Sequence, residues 1–531
     1  FVDYVITQVQ DLIKDHYGGV DAAQNAIFVD GLKVFTTLDP DTQASAEKAI
    51  NDLMAEYQSK AQNGTYLRQA ATVVMDPATG HIAAMVGGRG YDPEVSRAWN
   101  RATQTVRQPG SSIKPLVDYA PAIAKRVITA ATVFDDVPTA FPGNWKPTDF
   151  DNNYYGLISI REAIFRSQNI TAIKTLQALG VDNGIDFLRK LGITTIETTG
   201  PKNDRNLSLA IGGITKGISV IELTQAYGAL ANGGVKVQPT AIREIQDRYG
   251  RTIYKAQPAK TAVMDEQTAY ITTDLLKSVI SDPRGTGYRG QLNRPAAGKS
   301  GTTDDWADAW FVGYTPDFVT TVWVGHDQPT PMNDLYGKGL PLRIWQQIML
   351  TAHRNRPVRD WSRPANLVDQ EICTVSGKRP SSICPKDKIS KEVFIKGTEP
   401  KTTDICDVHV QARVDKATGL PATPTTPPDQ VETKVFIKRP QPLVYPLPYG
   451  NPPADAKDEL PVKFAEQLQP TTGTGGSSVP NQPTNPTNPS TSVPTTPTNP
   501  SAPPTPQDPT TPTTKPGNGN GGTNKPPSKP N

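Results

Sequence analysis

Strand-like segments stand near both ends of the first 350 residues of this chain, and a long helical middle separates them. Residues 71–75 and 81–86 read as two strands joined by Asp76-Pro77-Ala78-Thr79-Gly80, a turn that carries both a proline and a glycine. Residues 310–314 and 319–324 form a second hairpin about Thr315-Pro316-Asp317. Between the hairpins, residues 111–125, 160–179, 218–232 and 268–280 read as helices, and 340–354 as a closing helix. Ahead of the first hairpin, 1–17 reads as a helix with Val5, Val9 and Leu12 on one face. A strand at 33–37 and a helix at 39–57 follow, the latter with Asp39 as cap and Pro40 in its first position. Strands segregated from helices, rather than alternating with them, predict an α+β fold in which helices flank an antiparallel β-sheet.

Proline sets where that folding stops. The chain has 531 residues and 51 prolines, and residues 468–531 are almost entirely Pro, Thr, Asn, Ser and Gly. Such a stretch has too little apolar surface to bury and is expected to be a disordered tail. The composition also changes from about residue 357, where Val393-Phe394-Ile395 and Val435-Phe436-Ile437 stand as strand-like runs among prolines. The expected divisions are therefore a main domain at 61–356, a small β-rich C-terminal module at 357–466 and a Pro/Thr/Asn-rich tail at 467–531. A net charge of +3 with no Lys/Arg run argues against nucleic acid as a partner. No apolar run reaches the ~18 residues that span a bilayer, and no signal peptide opens the sequence. The chain begins within an amphipathic pattern, as if cut from a longer one.

Three short motifs carry the chemistry. Ser111-Ser112-Ile113-Lys114 follows Gly110, and on a helix a spacing of three places serine and lysine on one face. A serine hydroxyl attacks only when a base removes its proton, and a lysine is a base only when neutral. Burial and a neighbouring cation both favour the neutral amine, and Lys299 is the candidate cation. The helix start beside Ser111 offers free amides to a developing oxyanion. Ser167-Gln168-Asn169 supplies a hydroxyl that can relay a proton and an amide that can bind a peptide. Lys299-Ser300-Gly301-Thr302-Thr303 reads as an edge strand whose glycine lets a substrate backbone lie close, with a lysine and threonines suited to a carboxylate. Alone, each has a bland reading: a capped helix with a solvated lysine, a polar helix patch, a solvated strand edge. Ser45-Ala46-Glu47-Lys48 repeats the first spacing on a polar helix stretch and is read as solvated. The three motifs in this order point to one site and to acyl transfer.

With these motifs the chain resembles the transpeptidase portion of class A (bifunctional) penicillin-binding proteins, in the penicilloyl serine transferase and serine β-lactamase-like family. The likeness extends through Val34-Phe35-Thr36-Thr37-Leu38-Asp39, Arg107-Gln108-Pro109-Gly110-Ser111, Ala210-Ile211-Gly212-Gly213 and Asp308-Ala309-Trp310-Phe311-Val312-Gly313-Tyr314. It covers residues 33–353, with a looser match beyond. It implies that Ser111 attacks the carbonyl between two terminal D-alanines of a peptidoglycan stem peptide and that Lys114 takes its proton. It further implies that Ser167, with Lys299 nearby, protonates the departing D-alanine, and that Asn169 holds the substrate amide. Thr302 and Thr303 would hold the terminal carboxylate, on the strand with Ser300 and Gly301, and the amides of Ser111 and Thr302 would form the oxyanion hole. An amine from a neighbouring stem peptide would then resolve the acyl-enzyme, and β-lactams would acylate Ser111. Ser300 stands where many relatives carry threonine, a change that keeps a hydroxyl.

The resemblance also implies that residues 1–60 are a linker following a glycosyltransferase domain and membrane anchor that this sequence does not contain. The expected location is the extracytoplasmic face of the bacterial membrane or the cell wall. Donor and acceptor stem peptides, β-lactams and cell-wall, divisome or elongasome proteins are the implied partners, and no cofactor is implied. Two other readings share the site. A D,D-carboxypeptidase or β-lactamase-type hydrolase would end the acyl-enzyme with water, and no Glu-x-x-x-Asn segment stands beside the motifs to activate one. A non-enzymatic β-lactam sensor or wall-binding scaffold would carry a signalling segment, which this sequence lacks.

The remaining reactive residues read blandly. His16, His81, His326, His353 and His409 are scattered and form no H-E-x-x-H or serine-triad pattern. Cys373, Cys384 and Cys406 are the only cysteines, an odd set whose pairing stays open between one disulfide plus a thiol and three thiols. With His409 their spacing has no familiar zinc form, and no metal ligand is assigned. Trp306, Trp310, Trp323 and Trp345 read as core or cleft wall.

Overall fold

Pairing between the two ends of the main domain builds the central sheet. In the computed structural model, which describes residues 1–90, 98–332 and 334–461, five strands lie in the order Ala297–Thr302, Asp308–Tyr314, Val319–His326, Arg68–Met75 and Ile82–Val86. Every neighbouring pair is antiparallel. The two predicted hairpins are thus joined edge to edge through Val319–His326 and Arg68–Met75. The Lys-Ser-Gly-Thr segment occupies the outer edge, as its sequence predicts.

These strands are apolar at consecutive positions because both faces are covered. Successive side chains point to opposite sides. Ala71, Val73, Trp310, Val312 and Trp323 enter one core, with the helices Val220–Ala231 and Glu266–Ser281. Ala70, Val74, Phe311, Val322 and Val324 enter the other, with Pro40–Leu53 and Leu340–Ala352. Asp39 caps Pro40–Leu53 as predicted, accepting the Thr42 N–H at 2.9 Å. The α+β class with a helix-flanked antiparallel sheet is the observed fold.

Two predicted helices differ in a way that bears on the site. Residues 111–125 form a 3-10 turn, Gly110–Ile113, then a π segment, Pro115–Tyr119, then Ala120–Ala124. Residues 160–179 form two helices, Ile160–Arg166 and Asn169–Leu179, broken where Ser167 takes a left-handed backbone (φ 67°). At the N-terminal helix Val2–Tyr17 the buried face is Val5, Val9 and Ile13, whereas Leu12 is exposed. That helix and Val20–Val29 pack on a small sheet of Lys33–Thr36, Ile242–Gln246 and Thr252–Lys255.

The C-terminal part holds two separate hairpins, Leu367–Cys373 with Ile389–Ile395 and His409–Asp415 with Val431–Ile437. Ion pairs fasten it to the main domain. Arg161 bridges Asp274 and Glu392, and the fully buried Arg439 side chain pairs with Asp135 and Asp455. The expected tail at 467–531 lies outside the described residues.

Candidate active site

Backbone crowding fixes the entry to Ser111. Gly110 has φ 51°, and a Cβ there would sit 2.4 Å from the Thr302 carbonyl oxygen and 3.0 Å from the Thr302 nitrogen. A Cβ on Gly301 would in turn meet the Pro109 carbonyl at 2.3 Å. Side chains are excluded on both sides, so the turn before Ser111 and the edge strand touch backbone to backbone. The Trp310 indole N–H donates to the Gln108 carbonyl at 2.9 Å, and the Tyr227 hydroxyl donates to the Ser112 carbonyl at 2.6 Å. These bonds pin the 3-10 turn from beneath. Ser111 is left partly accessible at the mouth of a groove.

That groove brings the three motifs together. Ser111, Ser167, Asn169, Ser300, Thr302 and Thr303 all line it. Lys114 and Lys299 lie directly behind, both wholly buried. Lys114 Nζ donates to the carbonyls of Ser167 (2.7 Å) and Gln168 (3.1 Å) and to Asn169 Oδ1 (2.7 Å). Lys299 Nζ donates to Ser167 Oγ (2.7 Å) and to the Ser300 carbonyl (3.0 Å). The break in the helix makes this possible. An unbroken helix would keep the Ser167 carbonyl for its own next turn, whereas here it is turned toward Lys114; the Gln168 carbonyl, at the start of the second helix, accepts from both the Thr171 hydroxyl (3.3 Å) and Lys114.

Burial governs the charges. It lowers Lys114 to about 8, against the opposing pull of Asp149, Asp118 and Asp136. Burial also pushes Lys299 well below the ordinary lysine range, and the charge of Lys114 pushes the same way. The three carboxyls are themselves raised by burial.

The acids are the part of the site that the sequence reading missed. Asp149 Oδ1 accepts the N–H of Asn169 and that of Ile170, the latter at 3.3 Å, and so caps the second half of the broken helix. Asp136 accepts from Gln168 Nε2 at 3.1 Å and from the Tyr155 N–H at 2.9 Å. Asn169 Nδ2 donates to the Thr148 carbonyl at 2.8 Å. No local pattern marks Asp136 or Asp149; each sits in a loop or short strand and reaches the site only through the fold. Asp118, four residues past Lys114, was readable as a polar residue on an otherwise apolar stretch, and it has no hydrogen-bond partner among the described residues.

Aromatic side chains close the far wall. Trp306 and Phe150 each stand edge-on to Tyr336, and Lys338 Nζ lies 5.3 Å from the Phe150 ring centre. Of the four tryptophans noted in the sequence, Trp310, Trp323 and Trp345 are core and Trp306 lines the groove. The second serine-lysine pair is separate: Lys48 pairs with Asp52 on the surface, and Ser45 Oγ donates to Thr351 Oγ1 at 3.0 Å.

A helix-flanked sheet with a peptide-sized groove along its edge strand, and a serine at the groove's mouth, defines a transpeptidase domain of the penicillin-binding type. The chain belongs to that family: residues 70–350, more than half its length, match the penicillin binding protein transpeptidase domain. Residues 363–411 match the C-terminal domain of penicillin-binding protein 1A. Penicillin-binding protein 1A of Clostridium botulinum (strain Langeland) is 34% identical over 455 residues, covering 82% of this chain and 53% of that protein. The Pseudomonas aeruginosa protein of the same name is 33% identical over 368 residues, covering 58% of this chain and 43% of that protein. The chain thus spans about half the length of the curated relatives it matches. The crystal structure of penicillin-binding protein 1A from Haemophilus influenzae shares the fold, with a TM-score of 0.65, 24% identity and coverage of 76% of this chain and 77% of that one. The PonA1 protein of Mycobacterium tuberculosis, solved in complex with penicillin V, gives a TM-score of 0.59 at 25% identity, covering 68% of this chain and 96% of that one.

Proposed function

We propose that the chain is a serine D,D-transpeptidase that crosslinks peptidoglycan stem peptides and is acylated by β-lactams. The observation that carries this reading is the pair of buried lysines behind Ser111, one held by the Ser167-Asn169 segment and the other bonded to Ser167 Oγ. Three acceptors surround Lys114 Nζ, which suits an ammonium. Loss of one proton leaves two N–H donors to hold the side chain in place and frees a lone pair for the Ser111 hydroxyl.

In this mechanism Ser111 Oγ attacks the carbonyl carbon of the penultimate D-alanine while Lys114 takes the hydroxyl proton. Negative charge develops on the carbonyl oxygen, and the adjacent amides of Ser111 and Thr302 receive it. Collapse expels the terminal D-alanine, whose nitrogen takes a proton from Ser167; Ser167 is reprotonated by the Lys114 ammonium, which returns to the free amine, and Lys299 keeps the Ser167 hydroxyl polarised. Asn169 binds the stem-peptide backbone, and Thr302 and Thr303 with the edge-strand residues Ser300 and Gly301 bind the terminal carboxylate. An amine from a second stem peptide then attacks the acyl-enzyme carbonyl; its proton passes through the Lys114 amine to Ser111 Oγ as the C–Oγ bond breaks, which regenerates Ser111.

We assign residues 61–356 to this domain, 1–60 to a linker and 357–466 to an accessory module, and we place the protein at the extracytoplasmic face of the membrane. Among the described residues no helix is long and apolar enough to cross a membrane. The test is mass spectrometry of products from a stem-peptide donor incubated with an amine acceptor. A crosslinked dimer supports the proposal. Release of D-alanine with only the shortened donor assigns a hydrolase instead, and neither product with a stable penicillin adduct assigns a sensor.

A further inference from the structure

The cysteines that the sequence leaves unassigned meet in one place. Cys373 ends the strand Leu367–Cys373, Cys384 lies in the loop that joins it to Ile389–Ile395, Cys406 lies in the connection between the two hairpins, and His409 opens the strand His409–Asp415. All four side chains are buried, and one donor atom from each lies within 4.8 Å of every other. Cys373 Sγ is 3.6 Å from Cys406 Sγ. His409 Nδ1 is 3.4 Å from Cys373 Sγ and 3.5 Å from Cys406 Sγ.

Those three separations match one face of a tetrahedron around a zinc ion, and Cys384 Sγ lies within 4.8 Å of each of its corners. Zinc bonds of about 2.3 Å to sulfur and about 2.0 Å to nitrogen place two sulfurs about 3.8 Å apart and a sulfur and a nitrogen about 3.5 Å apart. The fourth corner, Cys384, is also built as a ligand. The Ser381 N–H donates to its Sγ at 3.3 Å, an orienting bond of the kind that supports metal thiolates. Cys406 is held by its own N–H to the Arg379 carbonyl at 2.7 Å, and Cys373 by its N–H to the Lys378 carbonyl at 2.7 Å.

The surrounding core supplies a second argument. Its buried members are Cys373, Val375, Cys384, Cys406, Val408 and Ile437, so half of them are cysteines. Ile372, Val393 and Phe394 of the first hairpin are buried against the main domain instead, so three aliphatic side chains are left in the cluster where the two hairpins meet, and small cores this poor in apolar surface are commonly stapled by a metal or by disulfides. A disulfide uses two of these sulfurs and leaves a buried thiol and an imidazole beside it. A metal uses all four groups.

We propose that Cys373, Cys384, Cys406 and His409 form a structural site for a thiophilic divalent cation, zinc above all. On binding, the three thiols release their protons to solvent, and neutral His409 coordinates through Nδ1 with its proton on Nε2. Cation and three thiolates then carry one net negative charge, and no electron is transferred. Four protein ligands leave no open position, so the site holds the module together and performs no reaction. This inference does not depend on the acyl-transfer reading.

The test uses the whole chain, purified under reducing conditions with zinc in the growth medium. Elemental mass spectrometry is expected to find one zinc per chain, and Cys384→Ser and Cys406→Ser are expected to lose it. Retained covalent labelling by a fluorescent penicillin shows that these variants keep a folded groove. Because a variant can fail to fold, the wild type is also reconstituted with cobalt. Thiolate-to-cobalt charge transfer in the near ultraviolet, with the strong visible bands of tetrahedral cobalt, is expected. A zinc-free wild-type protein, a Cys373–Cys406 disulfide found by peptide mapping, or a cobalt complex without thiolate bands would each overturn the proposal.

Discussion

The groove and the cysteine cluster both gather reactive side chains from separate segments, and they do so by opposite means. At the groove the fold comes first. Ser111, Ser167 and Lys299 are brought together by a sheet with a core on each face, and that mass of apolar contact pays the cost of burying two lysines. Where the two C-terminal hairpins meet, the buried cluster is half cysteine, and the proposed metal site provides the cohesion. The lesson concerns robustness. A side-chain change in the groove should remove chemistry and leave structure, whereas a change in the cluster should remove structure and leave chemistry.

The largest expected effect separates the two regions most clearly. Ser111→Ala should slow acylation by labelled penicillin on the order of a millionfold, since the nucleophile is gone. Its melting temperature should match wild type, because Ser111 Oγ lies at the groove mouth and not in the core. Equal labelling of the two proteins would end the acyl-enzyme reading. Next in size is Lys114→Met, which keeps most of the buried volume and removes the base. Acylation should fall between about a hundredfold and ten-thousandfold. A variant that acylates at the wild-type rate would move the role of base to Lys299.

How far the sequence foresaw these regions differs as well. The sheet was legible because its hairpins carry turn residues and continuous apolar runs. The three motifs were legible because their residue types fit one chemistry. The break at Ser167 was not: the apolar pattern of residues 160–179 continues through it, and the preference of the Lys114 ammonium for three oxygen acceptors overrides local helix propensity. Asp136 and Asp149 were invisible for a related reason, since their partners are backbone amides and Gln168 of a distant segment. Leu12 and Ile13 exchanged places because the neighbouring helix Val20–Val29 and the small sheet, not the helix alone, decide which face is inside. The cysteine cluster was legible only in part: Cys406 and His409 stand three apart, but Cys373 and Cys384 come from segments that no familiar spacing joins to them.

The pH dependence of acylation sharpens the groove half of the comparison. Burial lowers Lys114 to about 8, so its amine is free above that pH and protonated below it. A protonated lysine cannot accept the Ser111 proton, so the rate should fall as pH drops through about 8, tenfold per unit at the limit. At pH 6 acylation should therefore run about a hundredfold below its alkaline plateau. Stopped-flow acylation across pH 6 to 10, intervals chosen to bracket that value, measures it directly. A rate independent of pH over this span would mean that Lys114 is neutral throughout, with its acids failing to hold any charge on it.

The smallest expected change is the one that tests whether the two regions are independent at all. Stripping metal from the wild type with a strong chelator should lower the melting temperature of the module, because the loss of four metal bonds leaves Val375, Val408 and Ile437 as the buried aliphatic side chains of the cluster that joins its hairpins. The acylation rate of Ser111 should stay within about twofold of the untreated protein. The reason lies in the connections between the parts. Arg439 reaches Asp135, and Asp135 is next to Asp136, which holds Gln168. Arg161 similarly joins Glu392 to the helix that ends at Ser167. Both links act at the periphery of the main domain, whereas Lys114 and Lys299 are enclosed by its own core. If acylation instead falls in step with zinc loss, these two arginines become the route by which the module sets the position of the Ser167-Gln168-Asn169 segment. An Arg439→Met variant should then reproduce the loss with zinc still bound.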